Sequence, residues 1–327
     1  MNSNVDFVIT WVDGSDLKWI NKKKGYDSNI NDEWQEGNAN IRYRDYDTLR
    51  FLLRSIAKYA SWVNKIFIIT DEQIPKWINL KNPKITIIDH KDIIPEEYRP
   101  TFNSNVIEFC IDNIPKLSNN FVVFNDDFII NSPVERTDFF INQKPKDCRL
   151  YYPFYPTEDF DNIVFNNVKL LNQKFEFWPE NKKGIISWKY GKNNVRNVLQ
   201  MLNHHISGYL DPHTAISFNL ECFRKAKILW QKEIQNTLKH KIRTTADLSI
   251  WLIRYYQLET GYFATRNSNF SHFYTLDDYN NAVNDLEREQ HSIICLNDVE
   301  TANFKQESQY LTKALRKKFK KKCEFEI

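Results

Sequence analysis

Glycine is scarce in this chain, seven in 327 residues, and neither GxGxxG nor GxxxxGK[ST] occurs, which excludes the glycine-dependent loops that cradle phosphates. Cysteine is almost as sparse. Cys110, Cys148, Cys222, Cys295 and Cys323 are odd in number, widely spaced and never form CxxC, which excludes a zinc ribbon and reads as thiols used as small hydrophobes in a reducing compartment. No apolar run reaches eighteen residues, and MNSNVDFVITWVDG lacks a basic leader followed by a long apolar stretch. The expectation is a soluble or peripheral protein of the cytoplasm. An excess of one charge is missing too: 45 Lys and Arg against 42 Asp and Glu leave +3, too little to imply a nucleic-acid partner.

What is present is aromatic and globular, with 42% hydrophobic and 15% aromatic residues. Short β-branched and aromatic runs at 5–10, 65–70, 84–88 and 121–125 alternate with helical patterns such as Leu49, Leu52, Leu53, Ile56 and Tyr59. That alternation predicts an α/β, Rossmann-like fold with a mostly parallel sheet flanked by helices. Each run leads into polar residues, and in such sheets the carboxyl ends of the strands share one ligand crevice. Residues 141–210 (YYPFYPTEDFDNIVFNN at their centre) have weak periodicity and read as an irregular insertion, a lid or a packed cap. Helical patterns return at 214–227, 229–239 and 245–258, followed by a strand at 292–296. With no repeat and no Pro/Gly/Ser linker, the organisation expected is one domain: a core over 1–140, the insertion over 141–210, the rest of the core over 211–300 and a basic helix over 301–327. Residues 313–322 (KALRKKFKKK) hold seven Lys or Arg in ten positions, read as a solvated helix end or a dock for anionic lipid or a polyanionic glycan.

Four constellations can carry chemistry. Trp11, Asp13, Gly14 and Asp16 close the first strand, where Asp-Gly makes a turn and an exposed Trp would stack on a ring. Arg44, Asp45 and Arg50 follow, with Arg54 one turn on; Arg forks suit phosphate, although Asp47 and Arg50 also make an i,i+3 ion pair. Asn125, Asp126 and Asp127 end an apolar strand, and adjacent half-buried carboxylates call for a hard cation. Pro212-His213 and Arg243-Thr244-Thr245 complete the set; Thr244 or Thr245 would cap a helix starting near 247, leaving Arg243 at its positive end.

At these residues the chain resembles the Stealth family of hexose-1-phosphate transferases, which includes bacterial capsule and exopolysaccharide phosphotransferases and the animal N-acetylglucosamine-1-phosphotransferase. The likeness runs through DFVITWVDGSD, the stretch 42–134 with RPTFNSNVIEF and FVVFNDDFII, then Asp211-Pro212-His213, IRTTADL and ICLND. The resemblance implies transfer of a sugar 1-phosphate from a UDP-sugar (UDP-GlcNAc, UDP-Gal or UDP-GalNAc) to a glycan or lipid-linked oligosaccharide hydroxyl, with release of UMP. It implies Asp6, Asp127, His213 and Arg243 for catalysis. Trp11, Asp13, Gly14, Asp16, Arg44, Asp45, Arg50, Asn103 and Asn125 would bind the substrate, and Asp126 and Asp127 would hold Mg²⁺ or Mn²⁺. Either His213 or Asp127 would accept the hydroxyl proton. The rivals are a metal-dependent glycosyltransferase releasing UDP and a non-catalytic glycan binder. Membrane contact, if made, would run through the basic C-terminal stretch at the inner face.

Overall fold

The computed structural model describes residues 4–27, 43–44, 46–175 and 182–327. β1 (Val5–Thr10) alternates strictly: Val5, Phe7 and Ile9 pack into one apolar cluster and Val8 into another on the opposite face. A strand buried on both faces belongs inside a parallel sheet. α1 (Leu17–Asp27) and α2 (Thr48–Tyr59) follow, α2 burying Leu49, Phe51, Leu52, Leu53 and Ile56. Each such side chain contributes about 1.5–3 kcal/mol over its exposed state. Then come β2 (Ile66–Thr70), β3 (Ile85–Asp89), α3 (His90–Ile93), α4 (Ser104–Phe109) and β4 (Asn120–Asn125). β1 lies between β2 and β4, with Thr10 opposite both Ile69 and Asn125, and all four strands are parallel. Their carboxyl ends therefore emerge along one edge.

β5 (Phe128–Ile130) leaves β4 after a two-residue corner and enters a second sheet. α5 (Arg136–Phe139) and β6 (Phe140–Ile141) lead into the stretch read as an insertion, which holds β7 (Lys144–Asp147), α6 (Asp161–Lys174) and α7 (Asn194–Gln200). It is a packed cap: Val164, Val168 and Leu171 of α6 join the second apolar cluster. β8 (Ile216–Asn219) pairs antiparallel with β4, completing the order β3-β2-β1-β4-β8. The helical pattern expected from 214 thus begins later, at α8 (Leu220–Leu229), where the Asn219 side chain accepts from the Cys222 N–H as its cap.

α9 (Gln231–Leu238) and α10 (Trp251–Glu259) cover one face of the sheet with α4 and α8. β9 (Ala264–Thr265) pairs with β7, and β10 (Ser271–Thr275) and β11 (Ile293–Asn297) form the second sheet with β5. α11 (Tyr279–Arg288) and α12 (Phe304–Lys318) close the other face beside α2, α12 burying Leu311 and Leu315. The result is an α/β fold with a mostly parallel sheet between helical layers.

Candidate active site at the strand ends

The turn after β1 is locked by its neighbours. The Asp13 N–H donates to Gln73 Oε1 at 2.9 Å, and Gln73 Nε2 donates back to the Asp13 carbonyl at 3.0 Å and to Asp16 Oδ2 at 3.1 Å. Asp13 Oδ1 accepts from the Ser15 N–H and hydroxyl, and Asp16 Oδ1 accepts from the Lys18 N–H where α1 begins. The Gln73 amide, followed by that backbone bond, holds the Asp16 carboxyl below its ordinary value. Gly14 is required sterically: a Cβ there would lie 1.9 Å from the Tyr43 carbonyl oxygen. Trp11 is only 8% exposed. It is a wall of the core whose edge meets the cleft, not the open stacking platform expected.

Above this edge lies a cleft of about 1160 Å³, with Trp11, Asp13, Asp16, Tyr46, Gln73 and Trp77 on the sheet side and Lys313 and Arg316 of α12 opposite. The arginines expected to grip phosphate are engaged elsewhere. Arg44 forks onto Asp298 at 2.6 and 2.8 Å and lies 3.9 Å over the Phe304 ring. Arg50 sits between Asp47 at 3.5 Å and Glu326 at 3.7 Å, over the Trp77 ring, and Arg54 makes a two-point pair with Glu326. Asp45 lies outside the described residues.

The corner between β4 and β5 carries Asp126 and Asp127, next to Asn125 at the strand end. Asp127 Oδ2 accepts from the Cys295 thiol at 3.4 Å, while Oδ1 is buried with no hydrogen-bond partner. Burial pushes this carboxyl up to about 6, with Asp298 adding to the rise and the Cys295 bond opposing it. Tyr46, which donates to the Leu296 carbonyl at 2.7 Å, borders the same acids: burial and then Asp127, Asp298 and Asp126 push its phenol well up. Among the described residues no three His, Cys, Asp or Glu are grouped to hold a metal. A buried oxygen without a donor nevertheless fits one hard-cation contact.

His213 reaches this end of the sheet through β8. Val123 pairs with Ile216, so Asp126, three residues on, and His213, three residues back, leave adjoining strands at the same edge. The loop is anchored by Asp211, which accepts from Arg254 and Tyr255; Arg254 also forks onto Asp147 at 2.7 and 2.9 Å. His213 itself has a left-handed backbone (φ 46°), its ring edge-on to Phe273 at 5.0 Å and Trp251 at 5.7 Å.

Arg243 lies outside the lining of that cleft, at the start of α4. Its Nη2 donates to the Ser104 hydroxyl at 2.7 Å, and Ser104 follows the Phe102–Asn103 segment that carries Tyr43 and hence Gly14. The helix expected to start near 247 begins at Trp251 instead, because Asp247 folds 244–247 into a turn by accepting from the Thr244 N–H at 3.0 Å and Asn103 Nδ2 at 2.7 Å. Arg243 is therefore held by α4, not by α10. Asn103 is a buried tie between α4 and that turn, and it also caps α4 by accepting from the Asn105 N–H.

Asp6 is not brought here either. Asp6 is fully buried near the start of β1, four residues from Thr10, or about 13 Å at the rise of a strand. Its two oxygens accept from Asn64 Nδ2 and the Ser118 N–H, both at 2.7 Å, tying the amino ends of three strands. One residue was missed: Glu108, one turn after Ser104 on α4, is half-buried. Burial pushes its carboxyl up to about 7 while Arg243 pulls it down. The i,i+4 spacing of Ser104 and Glu108 was the available signal.

Acids at the carboxyl ends of a parallel sheet, beneath a walled cleft, define an α/β enzyme that takes its ligand at the sheet edge. The chain matches the Stealth protein conserved region 1 over residues 3–30 and conserved region 2 over residues 42–147. It is 40% identical to the exopolysaccharide phosphotransferase cps2G of Lactiplantibacillus plantarum, across 99% of this chain and 96% of that protein. It is 35% identical to a capsular polysaccharide phosphotransferase WcwK of Streptococcus pneumoniae (98% of each) and 33% identical to the receptor polysaccharide phosphotransferase WefC of Streptococcus gordonii (100% of each). Among solved structures, the bifunctional glycosyltransferase WbbM gives a TM-score of 0.46 at 12% identity, covering 98% of this chain and 50% of that one. The galactosyltransferase LgtC gives 0.41 at 10% identity, covering 95% of each chain. The chain belongs to the Stealth family of phosphotransferases.

Proposed function

We propose that this enzyme transfers a sugar 1-phosphate from a UDP-sugar to a hydroxyl of a glycan acceptor, building the phosphodiester of a capsular or exopolysaccharide and releasing UMP. The observation that carries the reading is the cleft itself: it is lined by an aromatic wall at the end of β1 and by two cations of α12, and Tyr46 on that lining borders Asp126 and Asp127. An elongated ligand with rings at one end and a pyrophosphate in the middle suits those walls.

In the step proposed, the acceptor oxygen attacks the β-phosphorus, the bond from that phosphorus to the bridging oxygen breaks, and UMP leaves with the electron pair. The acceptor proton passes to His213 or Asp127. Arg243 with Lys313 and Arg316 would offset the charge that builds on the transferring group. The unpartnered Oδ1 of Asp127, with Asp126 beside it, would hold Mg²⁺ or Mn²⁺, which supplies further charge neutralisation when bound. Glu108 beside Arg243 is a third group able to exchange a proton near neutrality. The five cysteines are all free, which supports work in a reducing compartment, and among the described residues no helix is long and apolar enough to cross a membrane.

The test is the nucleotide released from UDP-GlcNAc, UDP-Gal and UDP-GalNAc with Mg²⁺ and a short glycan acceptor. UMP release that His213→Ala and Arg243→Ala both abolish is the expected result. UDP release would make the chain a glycosyltransferase, and donor binding without turnover would make it a glycan binder.

A further inference from the structure

α7 is built inside out. Asn197 and Gln200 point inward: the Asn197 side chain donates to the Arg149 carbonyl at 2.8 Å and accepts from the Tyr151 N–H at 2.9 Å, and Gln200 Nε2 donates to the His205 carbonyl at 2.7 Å. The apolar residues Val195, Val198 and Leu199 of α7, spaced i, i+3 and i+4, and Leu202 in the turn that follows it face solvent, Leu202 being 79% exposed. Ile186 and Trp188 extend the patch, Trp188 at 87% exposure. Soluble surfaces seldom carry so continuous an apolar stripe without a partner.

The charge around the stripe says what that partner is. Residues 182–210 contain no Asp or Glu, while Lys182, Lys192 and Arg196 are exposed beside the stripe. We infer that α7 and the preceding turn dock on an anionic lipid surface, apolar face and Trp188 entering the headgroup boundary and the cations meeting lipid phosphates. A second copy of the chain fits less well. An isologous dimer through this face would set Lys192 and Arg196 against the same cations with no acid from residues 182–210 to relieve them. The basic stretch after Leu315 is differently placed: Phe319 is buried and Lys317 and Lys318 pair with Glu287 and Glu289 at 3.0 Å.

Co-sedimentation of the full chain with phosphatidylcholine vesicles, with and without phosphatidylglycerol, tests this. The wild type should sediment with the anionic vesicles alone. Lys192→Glu with Arg196→Glu should weaken binding by about fivefold or more per cation, and Leu199→Glu with Leu202→Glu should abolish it. All these positions are exposed, and an unchanged urea midpoint confirms folding. Trp188→Phe should remove a lipid-induced blue shift of emission. Lys320→Glu with Lys321→Glu should leave binding intact. No binding to anionic vesicles, binding lost through the 320–321 pair but not through α7, or a dimer dissolved by the Leu199/Leu202 variant would each overturn the inference.

Discussion

Replacing Asp127 by Asn should make the protein more stable and less active at once. The carboxyl sits at about 6 against an ordinary 3.8, raised mainly by burial and further by Asp298. A rise of about two pH units corresponds to about 3 kcal/mol of penalty on the ionised form in the native state. The sign follows from proton counting. Between 3.8 and 6 the native state holds a proton that the unfolded chain has released, so stability falls as pH rises through that window and the loss is complete above it. Asn is isosteric, keeps an oxygen for the Cys295 thiol and carries no charge. Asp127→Asn should therefore exceed the wild type by up to about 3 kcal/mol in urea denaturation at pH 8 and match it below pH 4. If Oδ1 holds the cation, Mg²⁺ at pH 8 should raise the midpoint of the wild type and leave the variant unmoved. A variant no more stable than wild type at pH 8, or one whose advantage is the same at both pH values, would refute the account of Asp127 as a desolvated acid.

Glu108→Gln should remove a titration near pH 7 from the profile of kcat/KM, and Arg243→Lys, which retains the charge, should leave it closer to its place than Arg243→Ala, which moves it upward. Asp6→Ala should lower stability by about 2–4 kcal/mol by stranding the Asn64 and Ser118 donors, with kcat of the folded enzyme unchanged. Gly14→Ala should raise KM for the donor, because its Cβ would meet the Tyr43 carbonyl at 1.9 Å and displace the turn, an effect visible in donor titrations without acceptor. Lys313→Ala with Arg316→Ala should weaken donor binding by about tenfold or more and reduce its salt dependence, whereas Lys321→Ala should do neither.

The parallel core was legible because β1, β2 and β4 are buried on both faces, and such strands read as unbroken apolar runs whatever surrounds them. β8 was not. Its four residues run straight into α8 with a shared helical pattern, and only pairing with Val122 and Val123, about a hundred residues away, makes them extended. The same distance hid the fate of the arginines: nothing near Arg44 announces Asp298, and nothing near Arg54 announces Glu326. Asp6 and Asp126 are identical side chains near opposite ends of adjacent strands, and only the register shows that one ties their amino ends while the other stands at their carboxyl ends. α7 lay within the stretch read as weakly periodic, and its buried Asn197 and Gln200 turn its apolar residues outward.

These reassignments share one physical logic. A cation committed to a carboxylate inside the fold, as Arg44 is to Asp298, has little left to offer a phosphate, so under the proposed function recognition would pass to cations whose partners are weak or distant. Arg316 meets Asp47 only at 3.9 Å, with both side chains in water, where such a pair is worth little. α12 can present it to the cleft because Leu311 and Leu315 anchor the opposite side of that helix in the core. The basic stretch that reads as a solvated tail thus divides by helical phase: Lys313 and Arg316 face the cleft, and Lys317 and Lys318 brace α11. Charge counted along the sequence could not separate these duties, because they differ only in the direction each side chain leaves the helix.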